Sequence, residues 1–132
     1  MIFIVDDDQS MQRAFSVLMR SAGFEAMAFS SAEDFLKYSS PGENDCIILD
    51  LRMPGMSGFE LMAELASRKI RTPIICITAF DDPKSRERAR QLNAAAYFTK
   101  PVDDQALIDA INWAIQSERR ERPQGEGVAS NG

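Results

Sequence analysis

Blocks of uninterrupted apolar residues alternate along the chain with stretches in which apolar residues recur every three or four positions. Ile2-Phe3-Ile4-Val5, Cys46-Ile47-Ile48-Leu49 and Pro73-Ile74-Ile75-Cys76-Ile77 are the clearest blocks. Phe24 to Phe29 and Ala94 to Phe98 are two further strand candidates, the first less β-branched than the others. Between them, Met11, Phe15, Leu18, Met19 and Ala22 keep helical spacing, and Gly23 supplies a stop. Ser30 or Ser31 caps a second helix, with Glu33 and Asp34 in its first turn and Phe35, Leu36 and Tyr38 along it. Phe59, Met62 and Leu65 mark a third. Asp82-Pro83 reads as an N-cap with proline at the first helical position, opening a fourth, mostly polar helix with Ala89 and Leu92 as its apolar contacts. Asp103 or Asp104 caps a fifth, with Leu107, Ile108, Ile111, Ala114 and Ile115 on one face. Strands that are apolar throughout are buried on both faces. The pattern therefore predicts an α/β fold, (βα)5, with a doubly wound five-stranded parallel sheet covered by helices.

At 132 residues the chain is read as one domain. From about Ser117 it changes character: Glu118 to Pro123 is charged and Gly125 to Gly132 is small and polar. We expect a domain over residues 1–117 and, over 118–132, a frayed helix end leading into a disordered tail or linker. No apolar run approaches the ~20 residues that span a bilayer, and the N-terminus lacks the basic region and cleavage site of a signal peptide, so a cytoplasmic location is expected. Cys46 and Cys76 sit in apolar runs and read as buried thiols. The absence of histidine removes the usual general base and His-ligated zinc. A net charge of -5 argues against direct nucleic-acid binding.

The polar residues that interrupt this pattern fall where strands end. Asp6, Asp7 and Asp8 follow the first strand, Asp50 the third, Thr78 the fourth and Lys100 the fifth. In an open doubly wound sheet these carboxyl ends form the ligand crevice. Several carboxylates at one rim require a counter-charge, because like charges raise one another's pKa. Oxygen-only ligands favour Mg²⁺, with Mn²⁺ able to substitute. An aspartate can accept a phosphoryl group, and a hydroxyl and an ammonium can each hold one of its oxygens. Asp8 is read as a turn or helix-cap residue.

The order and spacing of four motifs resemble the receiver domain of bacterial two-component response regulators over residues 1–117. They are Val5-Asp6-Asp7-Asp8, the run from Leu49 to Gly58, Ile77-Thr78-Ala79, and Tyr97-Phe98-Thr99-Lys100-Pro101. The Leu49 to Glu60 run, with Ser21 to Phe24 and Ser31 to Glu33, is most similar to receivers of the FixJ-like group, which precede LuxR-type DNA-binding domains. The resemblance implies a CheY-like, flavodoxin-like sheet with strand order 2-1-3-4-5. It implies Asp50 as phosphoacceptor for a sensor histidine kinase, and Asp6, Asp7, Asp50 and the backbone carbonyl of Arg52 as Mg²⁺ ligands. It implies Thr78, Ala79 and Lys100 around the phosphoryl group, Tyr97 as the aromatic switch and a cis peptide at Lys100-Pro101. Asn93 replaces a glycine usual before the fifth strand, and asparagine tolerates the left-handed backbone that position needs.

Two other functions compete. A haloacid-dehalogenase-type phosphatase shares the Asp, Thr, Lys and Mg²⁺ chemistry, but its second aspartate is absent from Asp50-Leu51-Arg52-Met53-Pro54. A pseudo-receiver that only binds a partner would not need complete acceptor, metal and lysine positions. We therefore expect a signalling switch rather than a turnover enzyme. The resemblance further implies phosphorylation-dependent homodimerisation through the fourth helix, fifth strand and fifth helix, with transcription controlled by a LuxR-type output domain. Trp113 lies off the inward stripe of the fifth helix and, with Arg86 and Arg90 on the basic fourth helix, is expected at that surface.

Overall fold

The structure is a computed structural model that describes residues 1–121. Its elements are β1 (Ile2–Val5), α1 (Gln9–Ser21), β2 (Ala26–Phe29), α2 (Ala32–Tyr38), β3 (Cys46–Asp50), α3 (Gly58–Ser67), β4 (Ile74–Thr78), α4 (Pro83–Gln91), β5 (Ala96–Thr99) and α5 (Asp104–Glu121). The strands form one five-stranded sheet in the order β2-β1-β3-β4-β5, every neighbouring pair parallel. This is the (βα)5 doubly wound sheet expected from the sequence. The edge strands are shorter than their apolar runs: Phe24 precedes β2, and Ala94 and Ala95 precede β5. The backbone of residues 118–121 continues α5. The tail expected over 122–132 lies outside the described residues.

The alternation of side chains along each strand divides the core between the two faces. Phe3, Val5, Ile47, Leu49 and Cys76 pack with Phe35 of α2, Leu61, Met62 and Leu65 of α3, and Ala89 of α4. Ile2, Ile4, Ile48, Ile75 and Ile77 pack with Phe15 and Met19 of α1 and Leu107, Ile111 and Ala114 of α5. Phe35 meets both Phe3 and Phe29 edge-on at 5.5 Å between ring centres. Both cysteines are buried, and burial pushes each thiol up to about 12. They are core residues, as expected, because a thiol that stays protonated is a poor nucleophile.

Helix starts follow the polar signals in the sequence. Asp8 caps α1, accepting from the Ser10 and Met11 N–H groups. Ser31 caps α2, and Asp82 caps α4 with Pro83 directly after it. Asp103 accepts from Ala106 N–H at the start of α5. Asn93 holds φ at 66°, so the left-handed turn before β5 survives without glycine. Ser57 and Glu60 form a reciprocal capping box at α3.

The close approach at Gly58 ties that cap to β3. Its N–H donates to Leu51 C=O at 3.1 Å, and a Cβ there would stand 2.6 Å from the Asp50 carbonyl oxygen and 2.7 Å from Leu51 Cα. Both are backbone atoms that cannot swing aside. Gly58→Ala is therefore expected to destabilise the domain by about 1–3 kcal/mol, lowering Tm by roughly 3–6 °C per kcal/mol. Thermal unfolding checks this, and an unchanged Tm would show that the end of β3 can yield.

Candidate functional site

Because every strand runs the same way, the sheet gathers its carboxyl ends at one rim. Each strand's continuation is pinned to its neighbour: Asp6 N–H donates to Phe29 C=O at 3.1 Å, Leu51 N–H to Ile77 C=O at 3.0 Å and Lys100 N–H to Thr78 C=O at 2.8 Å. Asp6 and Asp50 are buried there, and Asp7 is exposed at the mouth. One oxygen from each of these carboxylates lies within 4.8 Å of the other two. Lys100 enters from the far strand, its Nζ 3.2 Å from Asp6 Oδ2 and 3.7 Å from Asp50 Oδ2.

The electrostatics centre on Asp50. Its carboxyl is raised from 3.8 to about 6, first by burial and then by the neighbouring Asp6 charge; the Arg52 N–H and the Lys100 ammonium pull it back, and Asp7 adds a smaller push upward. The Arg52 N–H donates to Asp50 Oδ1 at 3.2 Å. Asp6 is fixed by the Asp8 N–H, which donates to its Oδ1 at 2.9 Å. One ammonium thus faces three carboxylates. The donor set is all oxygen, crowded and under-neutralised, which suits a hard divalent cation such as Mg²⁺ or Mn²⁺.

The remaining expected residues occupy the same rim or the face beside it. Thr78 is buried, and its hydroxyl donates to Phe80 C=O and accepts Phe80 N–H, each at 3.1 Å. Ala79 is exposed. The Lys100-Pro101 peptide is cis. Tyr97 is half-buried beneath the Arg86 guanidinium, which lies 4.8 Å from its ring centre. Its buried hydroxyl has no hydrogen-bond partner among the described residues. Burial raises its pKa, and Asp81 adds to this as a nearby charge rather than a well-formed hydrogen bond. Arg86 and Arg90 line an apolar groove of about 380 Å³ with Pro83, Ala89, Ala96 and Tyr97. Trp113 is 59% exposed, off the inward stripe as its position in the helix implies. It does not share that groove. It opens instead onto a second one of about 730 Å³ with Leu65, Ile74, Leu92 and Asn93, toward the starts of β4 and β5.

The contacts by which three side chains position the rim were missed by sequence reasoning. Gln12 Nε2 donates to Asp6 C=O at 2.7 Å and to Ser30 Oγ at 3.0 Å, tying α1 to the ends of β1 and β2. Glu33 accepts the Met56 N–H at 3.0 Å, and it leaves no space for a side chain on Gly55, whose φ is +74°. Arg52 reaches Asp82 across two loops. Glu33 was legible as a first-turn acid, but nothing in the sequence pointed to its partner, and Gln12 gave no signal at all.

A family model for the response regulator receiver domain matches residues 2–112. The chain is 40% identical over 129 residues to Nodulation protein W of Bradyrhizobium diazoefficiens, covering 98% of this chain and 57% of that protein. It is 36% identical over 114 residues to the transcriptional regulatory protein FixJ of Azorhizobium caulinodans, covering 86% and 54%. Among solved structures it is similar to the response regulator StyR, with a TM-score of 0.86, 41% identity and 95% and 63% of the two chains covered. It is also similar to FixJ-N, with a TM-score of 0.80, 34% identity and 87% and 92% covered. The chain spans about half the length of the curated relatives it matches.

The raised Asp50 carboxyl has a consequence for stability. The folded metal-free protein retains a proton on Asp50 between pH 3.8 and about 6 that the unfolded chain has lost, so this group favours folding at acid pH. That contribution is lost as pH rises toward 6, where the carboxylate ionises in its buried, negatively charged surroundings. Asp50→Asn carries no such charge. In chelator, the variant is expected to melt roughly 3–6 °C above the wild type near neutral pH, with the gap closing well below pH 6. A gap independent of pH would remove Asp50 as its source.

Proposed function

The chain belongs to the response regulator receiver domain family, and from that premise we propose that Asp50 accepts a phosphoryl group from a sensor histidine kinase. The observation that carries the proposal is the Asp50 carboxylate itself, buried at the end of β3 among Asp6, Asp7 and Lys100. In the transfer, an Asp50 oxygen forms a bond to phosphorus as the phosphorus–nitrogen bond to the kinase imidazole breaks. The carboxylate attacks in its ionised form, which a bound cation would favour over the metal-free site, where burial and Asp6 raise its pKa to about 6.

Each residue then has a role set by its position. Asp6, Asp7 and Asp50, with the Arg52 backbone carbonyl, hold Mg²⁺ or Mn²⁺. Bound there, the cation would supply positive charge against the crowded carboxylates and against the charge that develops on the phosphoryl oxygens. Lys100 binds one phosphoryl oxygen while holding Asp6. Thr78 donates to another once its hydroxyl turns from Phe80. Ala79, small and exposed, leaves the acceptor open to the kinase and to water. Tyr97 follows the Thr78 movement, its hydroxyl being held by no hydrogen bond in the resting form. The domain acts on itself rather than turning over an external substrate.

The readout is a change at the α4, β5 and α5 face that favours homodimerisation. The groove beside Tyr97, with Arg86 and Arg90 on its rim, supports this surface, while Trp113, exposed on α5, borders the second groove and would join the interface only if it extends along α5. Where an output domain accompanies the receiver, a LuxR-type domain would carry DNA binding and transcriptional output. Among the described residues no helix is long and apolar enough to cross a membrane. The switch is proposed to work in the cytoplasm.

Asp50→Asn is expected to abolish labelling by acetyl phosphate in Mg²⁺ while leaving the circular dichroism spectrum unchanged. Stable label mapped to another residue would refute the assignment. Asp7→Ala removes a direct metal ligand. Even indirect partners of metal sites cost 10–100-fold in affinity when lost, so Mg²⁺ binding by calorimetry should weaken at least tenfold. Sedimentation with fluoroberyllate and Mg²⁺ should reveal a dimer that Trp113→Ala weakens. A persistent monomer at high concentration counts against the dimer surface.

A further inference from the structure

The loop from Ala79 to Asp82 is held from both sides by arginines. From the β3–α3 loop, the Arg52 guanidinium reaches Asp82 Oδ2 at 3.4 Å and lies 5.3 Å from the centre of the Phe80 ring. From α4, Arg86 bonds Asp81 Oδ2 at 2.6 Å while covering the Tyr97 ring. Burial does not hold this loop down, since Phe80 is 65% exposed. At its base, Thr78, the last residue of β4, is committed to both backbone groups of Phe80.

A hydroxyl carries one proton. To donate it to a phosphoryl oxygen on Asp50, Thr78 must release the Phe80 carbonyl, and the loop must rearrange around that loss. The arginines bind the loop to other elements in the geometry of this state: the segment after β3 for Arg52, and the body of α4 with the present position of the Tyr97 ring for Arg86. Their contacts therefore belong to the resting arrangement. A contact made in only one of two states shifts the balance toward that state and weakens any ligand that selects the other.

We propose that Arg52 and Arg86 are positioning residues that together latch the β4–α4 loop in its unphosphorylated conformation and so weaken binding of the phosphoryl group at Asp50. This rests on Asp50 being the phosphoacceptor. The latch joins the acceptor loop to Tyr97 through Phe80, Asp82 and Asp81. It explains a cation two residues from Asp50 whose side chain turns outward to Asp82 and Phe80. Loss of the Arg52 side chain leaves its backbone in place, and Asp82 keeps its cap on the Ser85 N–H.

Calorimetric titration of fluoroberyllate in saturating Mg²⁺ tests the proposal on wild type, Arg52→Ala, Arg86→Ala, the double variant and Phe80→Leu. Exposed ion pairs and cation–π contacts each weigh a few-fold in an equilibrium, so each arginine variant should bind about two- to fivefold tighter. The double variant should approach the product of the two. The sign is diagnostic: removing a cation near an anion site by electrostatics alone weakens binding, whereas removing the latch tightens it. Phe80→Leu should tighten binding with no change of charge. Arg52→Lys and Arg86→Lys, which keep charge but lose the planar stacking group, serve if an alanine variant melts early. Unchanged or weaker binding in the arginine variants overturns the latch, and weakening confined to Arg52→Ala would make Arg52 a direct phosphoryl contact instead. Failure of the wild type to bind fluoroberyllate at all would identify the fault in the phosphoacceptor reading.

Discussion

The crowding of three carboxylates against one ammonium at the carboxyl rim of the sheet governs the rest of this molecule. Asp6 and Asp50 are buried within reach of Asp7, and among the described residues Lys100 is the cation that reaches both buried groups. An arrangement of that kind is costly to fold, because burial and like charge both disfavour ionisation. The raised Asp50 carboxyl expresses the cost directly. Such strain is tolerable only on a frame that cannot relax, and five parallel strands with apolar side chains on both faces provide one.

The loops above the rim carry the second part of the design. Each is tied to an element other than its own: Gln12 holds the end of β1, Glu33 the turn after β3, and Arg52 the N-cap of α4. Gly58 lets α3 start against the backbone of Asp50 itself. The acceptor is therefore gripped by backbone geometry, while Phe80, which occupies the Thr78 hydroxyl, sits on a segment secured mainly by exposed polar contacts. That division of strength is what a switch requires. The chemistry stays fixed while one loop has two available arrangements separated by weak interactions.

The local elements were legible because each is dictated by neighbours in sequence. Continuous apolar blocks gave three of the strands closely, and polar residues before apolar stripes gave the caps at Ser31, Asp82 and Asp103. Asn93 could be read as a left-handed turn because few other residues accept that conformation. The edge strands were less legible. With one neighbouring strand each, their pairing ends where the flanking loop leaves the sheet, which composition does not mark.

By itself the sequence determined the strand-and-helix alternation, the family resemblance, and the set of acids, hydroxyl and lysine that end the strands. Those are properties of residue type and spacing along one dimension. The tertiary structure alone decided that Lys100 bridges Asp6 and Asp50 from the far edge of the sheet. It also decided that Trp113 and Tyr97 open onto different grooves. The reason is physical: these contacts join residues up to 94 positions apart, and their partners are selected by the twist, register and packing of the sheet rather than by anything the residues themselves carry.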